Sequence, residues 1–182
     1  NFGYQNIMYL AAGQAAAAAF GRDWDALIQE RIFAPLGMRE SSTSVRALAS
    51  MPNVAQPYAQ LDGAVTVVPY ANIDNIGPAG SINSTVLDMA KWDDALYTDK
   101  LLERSSLDQI WTPVKLNSGE TYPYGFGWFL DERAGKPLQE HGGSWQGFKT
   151  QFSRFIGDDL SIVVLANLAE ARPSIIREPN GR

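Results

Sequence analysis

The sequence predicts an α+β fold, a helical lobe packed on one side of an antiparallel sheet, from three observations. Helix-forming segments with apolar residues near helical spacing fill the first part of the chain, strand-like segments fill the part beyond Pro113, and a Gly-Asp-Asp turn joins the last two strands into a hairpin. With 45% hydrophobic and 19% charged residues, 182 residues suffice for one sizeable core, and no repeat, low-complexity linker or charge block divides them. The implied organisation is a helical lobe over about 1–112, sheet strands over about 122–168 and an irregular tail over 169–182.

In chain order, helix formers run from Gln5 to Phe20, and a second helix from Asp23 to Phe33 carries Trp24, Leu27, Ile28 and Ile32, with Asp23 as its N-cap. The segment Ala34 to Met38 is expected to stop that helix, because Pro35 cannot continue it and Gly37 permits a turn. The Ser-rich segment 39–57 reads as a surface connection, and the β-branched run Ala64 to Val68 as a short strand ended by Pro69. Ser84 or Thr85 with Asp88 resembles a capping box that opens a helix to about Tyr97, and a short helix is expected from Ser105 to Trp111. Strands are then expected at Tyr124 to Leu130, Gly147 to Ile156 and Leu160 to Leu168. The continuous apolar run Ile162 to Ala166 predicts a strand covered on both faces. In the tail, Pro173 would disturb any helix.

Composition excludes several functions. The formal charge of -5 and the lack of a basic run remove the electrostatic footprint of a nucleic-acid binder. The absence of cysteine removes disulfides and thiolate metal sites and leaves the compartment undetermined. Scattered carboxylates with one histidine predict no metal and no cofactor. The Ala-rich stretch from Leu10 to Phe20 is far short of the ~20 residues of a bilayer span. The two glycines of Gly142 to Gly147 imitate a phosphate-binding loop, but Phe148 occupies the lysine position, and Gly125-Phe126-Gly127 lacks the third glycine of a dinucleotide fingerprint. Asn1 in place of methionine, followed at once by an aromatic motif, predicts a chain that begins inside a longer protein.

Two short segments carry candidate chemistry. His141, the only histidine, precedes Gly142-Gly143-Ser144 at an expected strand edge, where glycines permit close substrate approach and backbone N–H groups can donate to an oxyanion. Tyr4-Gln5-Asn6 opens the first helix, and a tyrosine serves as a base only if nearby cations bring its pKa well below ~10.

Taken in order, Tyr4-x-Asn6, the segment Glu30 to Met38 with Pro35-Leu36-Gly37-Met38, Pro78 to Thr85 with Asp88-Met89-Ala90, Tyr124-Gly125-Phe126-Gly127-Trp128, His141-Gly142-Gly143 and Val163 to Asn167 resemble class C β-lactamases and their peptidase and esterase relatives. The resemblance covers roughly 2–168. It implies a β-lactamase/transpeptidase-like fold whose N-terminal strands lie outside this chain. It also implies a serine hydrolase that forms an acyl-enzyme on an ester, amide or β-lactam. Tyr4 would be the general acid/base, Asn6 would orient substrate or the lysine, and His141 would line the pocket opposite. Gly142, Gly143 and Ser144 would bind substrate, with the Ser144 N–H as half of the oxyanion hole.

The chain departs from the family pattern at the nucleophile, because no serine is followed by lysine three residues on. The family places Ser-x-x-Lys before Tyr-x-Asn, so the expectation is an inactive chain that needs a complementing N-terminal segment or self-associates. The alternative is a non-catalytic relative that binds ligands in the same cleft. A third reading is an interaction module built on the five Trp, seven Tyr and eight Phe.

Overall fold

A computed structural model describes residues 1–175 and shows an α+β architecture, with helices against a four-stranded antiparallel sheet. Helix α1 (Asn6–Phe20) begins one residue later than expected and ends at Gly21, whose left-handed backbone returns its N–H to Ala18. Its apolar residues surround it, yet none is buried, and Ile7 and Met8 are 66% and 65% exposed. Gly13 lets it approach the 3-10 helix Asp74–Ala79: a Cβ there would sit 2.2 Å from Pro78 Cγ.

The second helix departs from expectation at Pro35. Helix α2 (Trp24–Ile28) passes into a π-helical turn, Gln29–Phe33, and then into α3 (Ala34–Leu36), so Pro35 does not end the helix. The wider π turn, closed by Ala34 N–H to Gln29 C=O, relieves the clash a proline ring makes with the carbonyl four residues back. Gly37 ends it, with its N–H on Ala34 and that of Met38 on Phe33, the two bonds of a Schellman cap. That cap folds Met38 back beside Phe33, Leu36 and Ala95 to form the core cluster of the helical layer. Asp23 occupies the N-cap position of α2, but its side chain makes no capping bond.

The segment 39–57 is not simply a surface connection. It contains α4 (Val45–Leu48), pairs Ser42 with Asn83, and buries Ser41 and Ser42. The cause is Asp88, 1% exposed, which accepts from the Glu40 N–H at 2.8 Å, the Ser41 hydroxyl at 2.9 Å and Lys91 at 2.7 Å. Burial works to raise its pKa, but these bonds outweigh that and hold the carboxyl below its usual value. Asp88 belongs to α5 (Val86–Ala95), capped by the Thr85 hydroxyl. The expected strand at Ala64 is β2 (Ala64–Val67), paired with β1 (Tyr58–Leu61), which the sequence did not announce. Helix α6 (Arg104–Ile110) follows, and β3 (Val114–Lys115) pairs with β4 (Thr121–Tyr122).

The main sheet runs in order β5 (Phe129–Arg133), β6 (Lys136–Trp145), β7 (Phe148–Phe155) and β8 (Leu160–Ala166). The strand expected from Tyr124 begins only at Phe129, because 124–128 forms a tight turn with Gly125 N–H on Trp128 C=O. His141 to Ser144 directly precede the β7–β8 hairpin, as expected, but lie within a strand of their own, the ten-residue β6, which the sequence did not announce. The expectation for Ile162 to Ala166 also fails: β8 is an edge strand with half-exposed residues among those described. Pro173 starts a 3-10 turn, Pro173–Ile175, and the rest of the expected tail lies outside the described residues. Arg154 on β7 binds the sheet to the helices, with its guanidinium bonded to Asp93 and Gln139 and facing the rings of Tyr97, Trp111 and Trp128. No helix of the described residues is long and apolar enough to cross a membrane.

Candidate functional site

Tyr4 stands two residues before α1, where Gln5 is the N-cap and accepts the Ile7 N–H through its side chain. This turn places the Tyr4 ring 5.9 Å from that of His141 and edge-on to Tyr124 at 6.1 Å. The two halves of the sequence motif thus meet across the chain. Tyr124, 5% exposed, is aimed inward by the 124–128 turn, in which a Cβ on Gly125 would fall 2.0 Å from the Ile110 carbonyl. Phe126, on the same turn, faces outward at 69% exposure. Phe129 stacks on His141 with centroids 5.5 Å apart.

The register of β6 decides which of its backbone groups face the site. Trp145 pairs with Phe148 across a two-residue loop, and the residues flanking such a loop exchange both ladder bonds. Parity then gives the N–H and C=O of His141 and Gly143 to β7 and turns those of Gly142 and Ser144 to the other edge. Pairing with β5 ends at Glu140, so that edge is open beyond it. His141 Nδ1 lies 2.7 Å from the Gly142 carbonyl on it. Gly143 lies close under its cross-strand neighbour, where a Cβ would fall 2.5 Å from Thr150 Oγ1, and at Gly142 a Cβ would meet the far end of the flexible Gln151 side chain at 3.0 Å.

Two cavities flank these residues. One of about 460 Å³ is lined by Phe2, Tyr4, Tyr9, Tyr124 and Phe126, and one of about 370 Å³ by Gly142, Gly143, Ser144, Lys149 and Arg172. Of the expected residues, Tyr4 therefore lines one hollow and Gly142, Gly143 and Ser144 the other. Tyr4 and His141 come together, whereas the Ser144 hydroxyl accepts from Lys149, its partner across the ladder. Asn6 is exposed in the first turn of α1, and its side chain makes no hydrogen bond among the described residues.

The electrostatics constrain what Tyr4 can do. Burial, and next the neighbouring Tyr9, raise its pKa above the usual tyrosine value. In this environment Tyr4 keeps its proton at neutral pH. Burial and the hydrogen bond with Tyr9 push Tyr124 upward still more. Among the described residues, no cluster of three or more His, Asp or Glu side chains is placed to hold a metal.

Sequence reasoning missed Tyr124 as the centre of the cluster, together with Tyr9 and Phe129. It also missed the pairing of Lys149 with Ser144. The pairing had a usable signal: both are equidistant from Gln146-Gly147, so extending the strand back through His141 would have placed them side by side.

The family model described as Beta-lactamase matches residues 1–180. Penicillin-binding protein 4* of Bacillus subtilis is 30% identical over 181 residues, covering 92% of this chain and 40% of the relative. A D-aminopeptidase of Gluconobacter oxydans is 26% identical, covering 92% of this chain and 31% of its own length. Among solved structures, the octameric penicillin-binding protein homologue from Pyrococcus abyssi superposes with a TM-score of 0.85 at 24% identity, over 97% of this chain and 41% of that one. The D-stereospecific amidohydrolase from Streptomyces sp. gives 0.79 at 25% identity, over 96% and 53%. The chain thus spans less than half the length of the curated relatives named here.

Proposed function

Because the chain belongs to the β-lactamase family, a superfamily of serine hydrolases, we propose that it supplies the acid–base and substrate-binding part of such an enzyme. The substrate is a small ester, amide or β-lactam. The nucleophile is a Ser-x-x-Lys serine carried outside these 182 residues, and the chain by itself is inactive. The observation that carries this reading is the convergence of Tyr4, Tyr124 and His141 beside the open edge of β6.

Each residue has a part in the proposal. The serine attacks the carbonyl and forms an acyl-enzyme that water later cleaves. The Ser144 N–H, on the open edge, donates to the oxyanion, and the substrate lies along Gly142 and Gly143. Tyr4 passes a proton to the leaving group. To take a proton first it needs the lysine cation of the nucleophile's motif, because its present surroundings raise its pKa. The Asn6 side chain, exposed and without a hydrogen bond among the described residues, is available to orient substrate or that lysine.

The surface of α1 supports a complementing segment or self-association. A helix that is apolar on all sides belongs in an interior, yet α1 buries no residue and leaves Ile7, Met8 and Phe20 more than half exposed. The test is intact mass after treatment with a fluorophosphonate or penicillin probe, on this chain and on the chain extended N-terminally from its gene. Labelling of the extended form alone supports the hydrolase. Labelling of neither favours a ligand-binding relative that uses the same cleft.

A further inference from the structure

The Tyr124 hydroxyl meets two polar atoms in an otherwise aromatic setting. The Tyr9 hydroxyl donates to it at 3.5 Å, and His141 Nε2 lies 3.3 Å away. A buried hydroxyl needs partners, and here both are side chains. On the far side of the imidazole, Nδ1 lies 2.7 Å from the Gly142 carbonyl oxygen. A carbonyl only accepts, so Nδ1 must carry a hydrogen. Nε2 is then either bare, in a neutral ring, or protonated, in an imidazolium.

The Tyr124 hydroxyl chooses between them. Its oxygen accepts from Tyr9, and the acceptor its own hydrogen meets is Nε2: a bare Nε2 takes that hydrogen, whereas an imidazolium would leave it buried without a partner. The rings packed on the imidazole, those of Tyr4, Tyr124 and Phe129, are neutral. Glu140, next in sequence, turns to the opposite face of β6, where Gln151 and Ser153 donate to it.

We infer that Tyr124 is a positioning residue of the site: with the Gly142 carbonyl it fixes His141 as the neutral Nδ1–H tautomer and holds the ring beside Tyr4. Both imidazole nitrogens are thereby engaged. His141 then acts as an uncharged wall, neither a free base nor a cation placed to activate Tyr4. The inference rests on the reading of His141 as part of the substrate cleft, but its test needs no turnover. Loss of the hydrolase reading and loss of this one are therefore separately visible.

His141 is the single histidine, so a ¹⁵N-labelled sample gives one set of ring proton–nitrogen cross-peaks. The spectrum is recorded roughly two pH units above the ordinary histidine value of about 6.5. The expected result is Nδ1 at the frequency of a protonated ring nitrogen and Nε2 at that of a bare one shifted by a hydrogen bond. An Nε2–H tautomer, or a ring protonated on both nitrogens, overturns the inference. Tyr124→Phe keeps the ring and its packing. It should move Nε2 toward the frequency of an unbonded bare nitrogen and admit the second tautomer, while Tyr9→Phe shifts it less. A Tyr124→Phe spectrum unchanged at the imidazole in a folded protein also overturns it. Should that variant not fold, the wild-type tautomer and Tyr9→Phe decide.

Discussion

Replacing Arg154 by methionine tests how the sheet is held against the helices. The side chain is 2% exposed, its Nε donates to Asp93 at 2.6 Å and its Nη1 to Gln139 at 2.6 Å. Its guanidinium also lies 4.6 Å from the centre of the Tyr97 ring and 5.3 Å from that of Trp111. Methionine fills most of the vacated volume, so the cavity contribution is small. What remains is the Asp93 carboxylate, only 14% exposed and stripped of its cation. Breaking one side of a buried pair costs about 3–5 kcal/mol, and in a chain of this size each kcal/mol lowers the melting temperature by about 2–4 °C. The expected fall is roughly 6–20 °C, measured by circular dichroism on heating and checked by urea unfolding. The double variant Arg154→Met/Asp93→Leu should recover most of the loss, because it removes the orphaned charge. A single variant within about 1 kcal/mol of wild type refutes the argument, since that is the range of exposed pairs.

Two further perturbations follow from the packing. Gly13→Ala raises helix propensity by about 1 kcal/mol, yet its Cβ would meet the rigid Pro78 ring at 2.2 Å. The net effect expected is destabilisation of about 1–3 kcal/mol, read as a lower urea midpoint, and a stabilised variant would show that α1 does not rest on that ring. Asp88→Asn removes a carboxylate whose pKa is held low. Its stabilisation is fully present above the unfolded value of about 3.9 and is lost as pH falls through the lower folded value. The wild type should therefore lose stability on acidification below about pH 4 more steeply than the variant, and parallel profiles would count against the network.

Elements with a strong local cause were legible in the sequence. Helix α1, the Thr85 cap of α5, and the β7–β8 hairpin each follow from propensity, a capping side chain or a turn within a few residues. The failures came where a distant partner outweighed a local rule. Pro35 reads as a helix stop, but the preceding π turn accommodates it. Ser41 and Ser42 read as surface residues, but Asp88, more than forty positions on, draws their segment inward.

The candidate site divides in the same way. Tyr4-x-Asn6 and His141-Gly142-Gly143 were recognisable as motifs because residue type and spacing are local properties of the chain. That His141 belongs to a strand, and that the edge bearing the Ser144 N–H is open, depends on where β5 stops pairing. The place of Tyr124 depends on Tyr9, 115 positions away, and on His141. Sequence by itself determined which chemical groups are present and the order of the elements that carry them. Only the tertiary structure decided which groups meet and which keep their protons, because burial and hydrogen-bond direction arise from contacts between segments that no local pattern encodes.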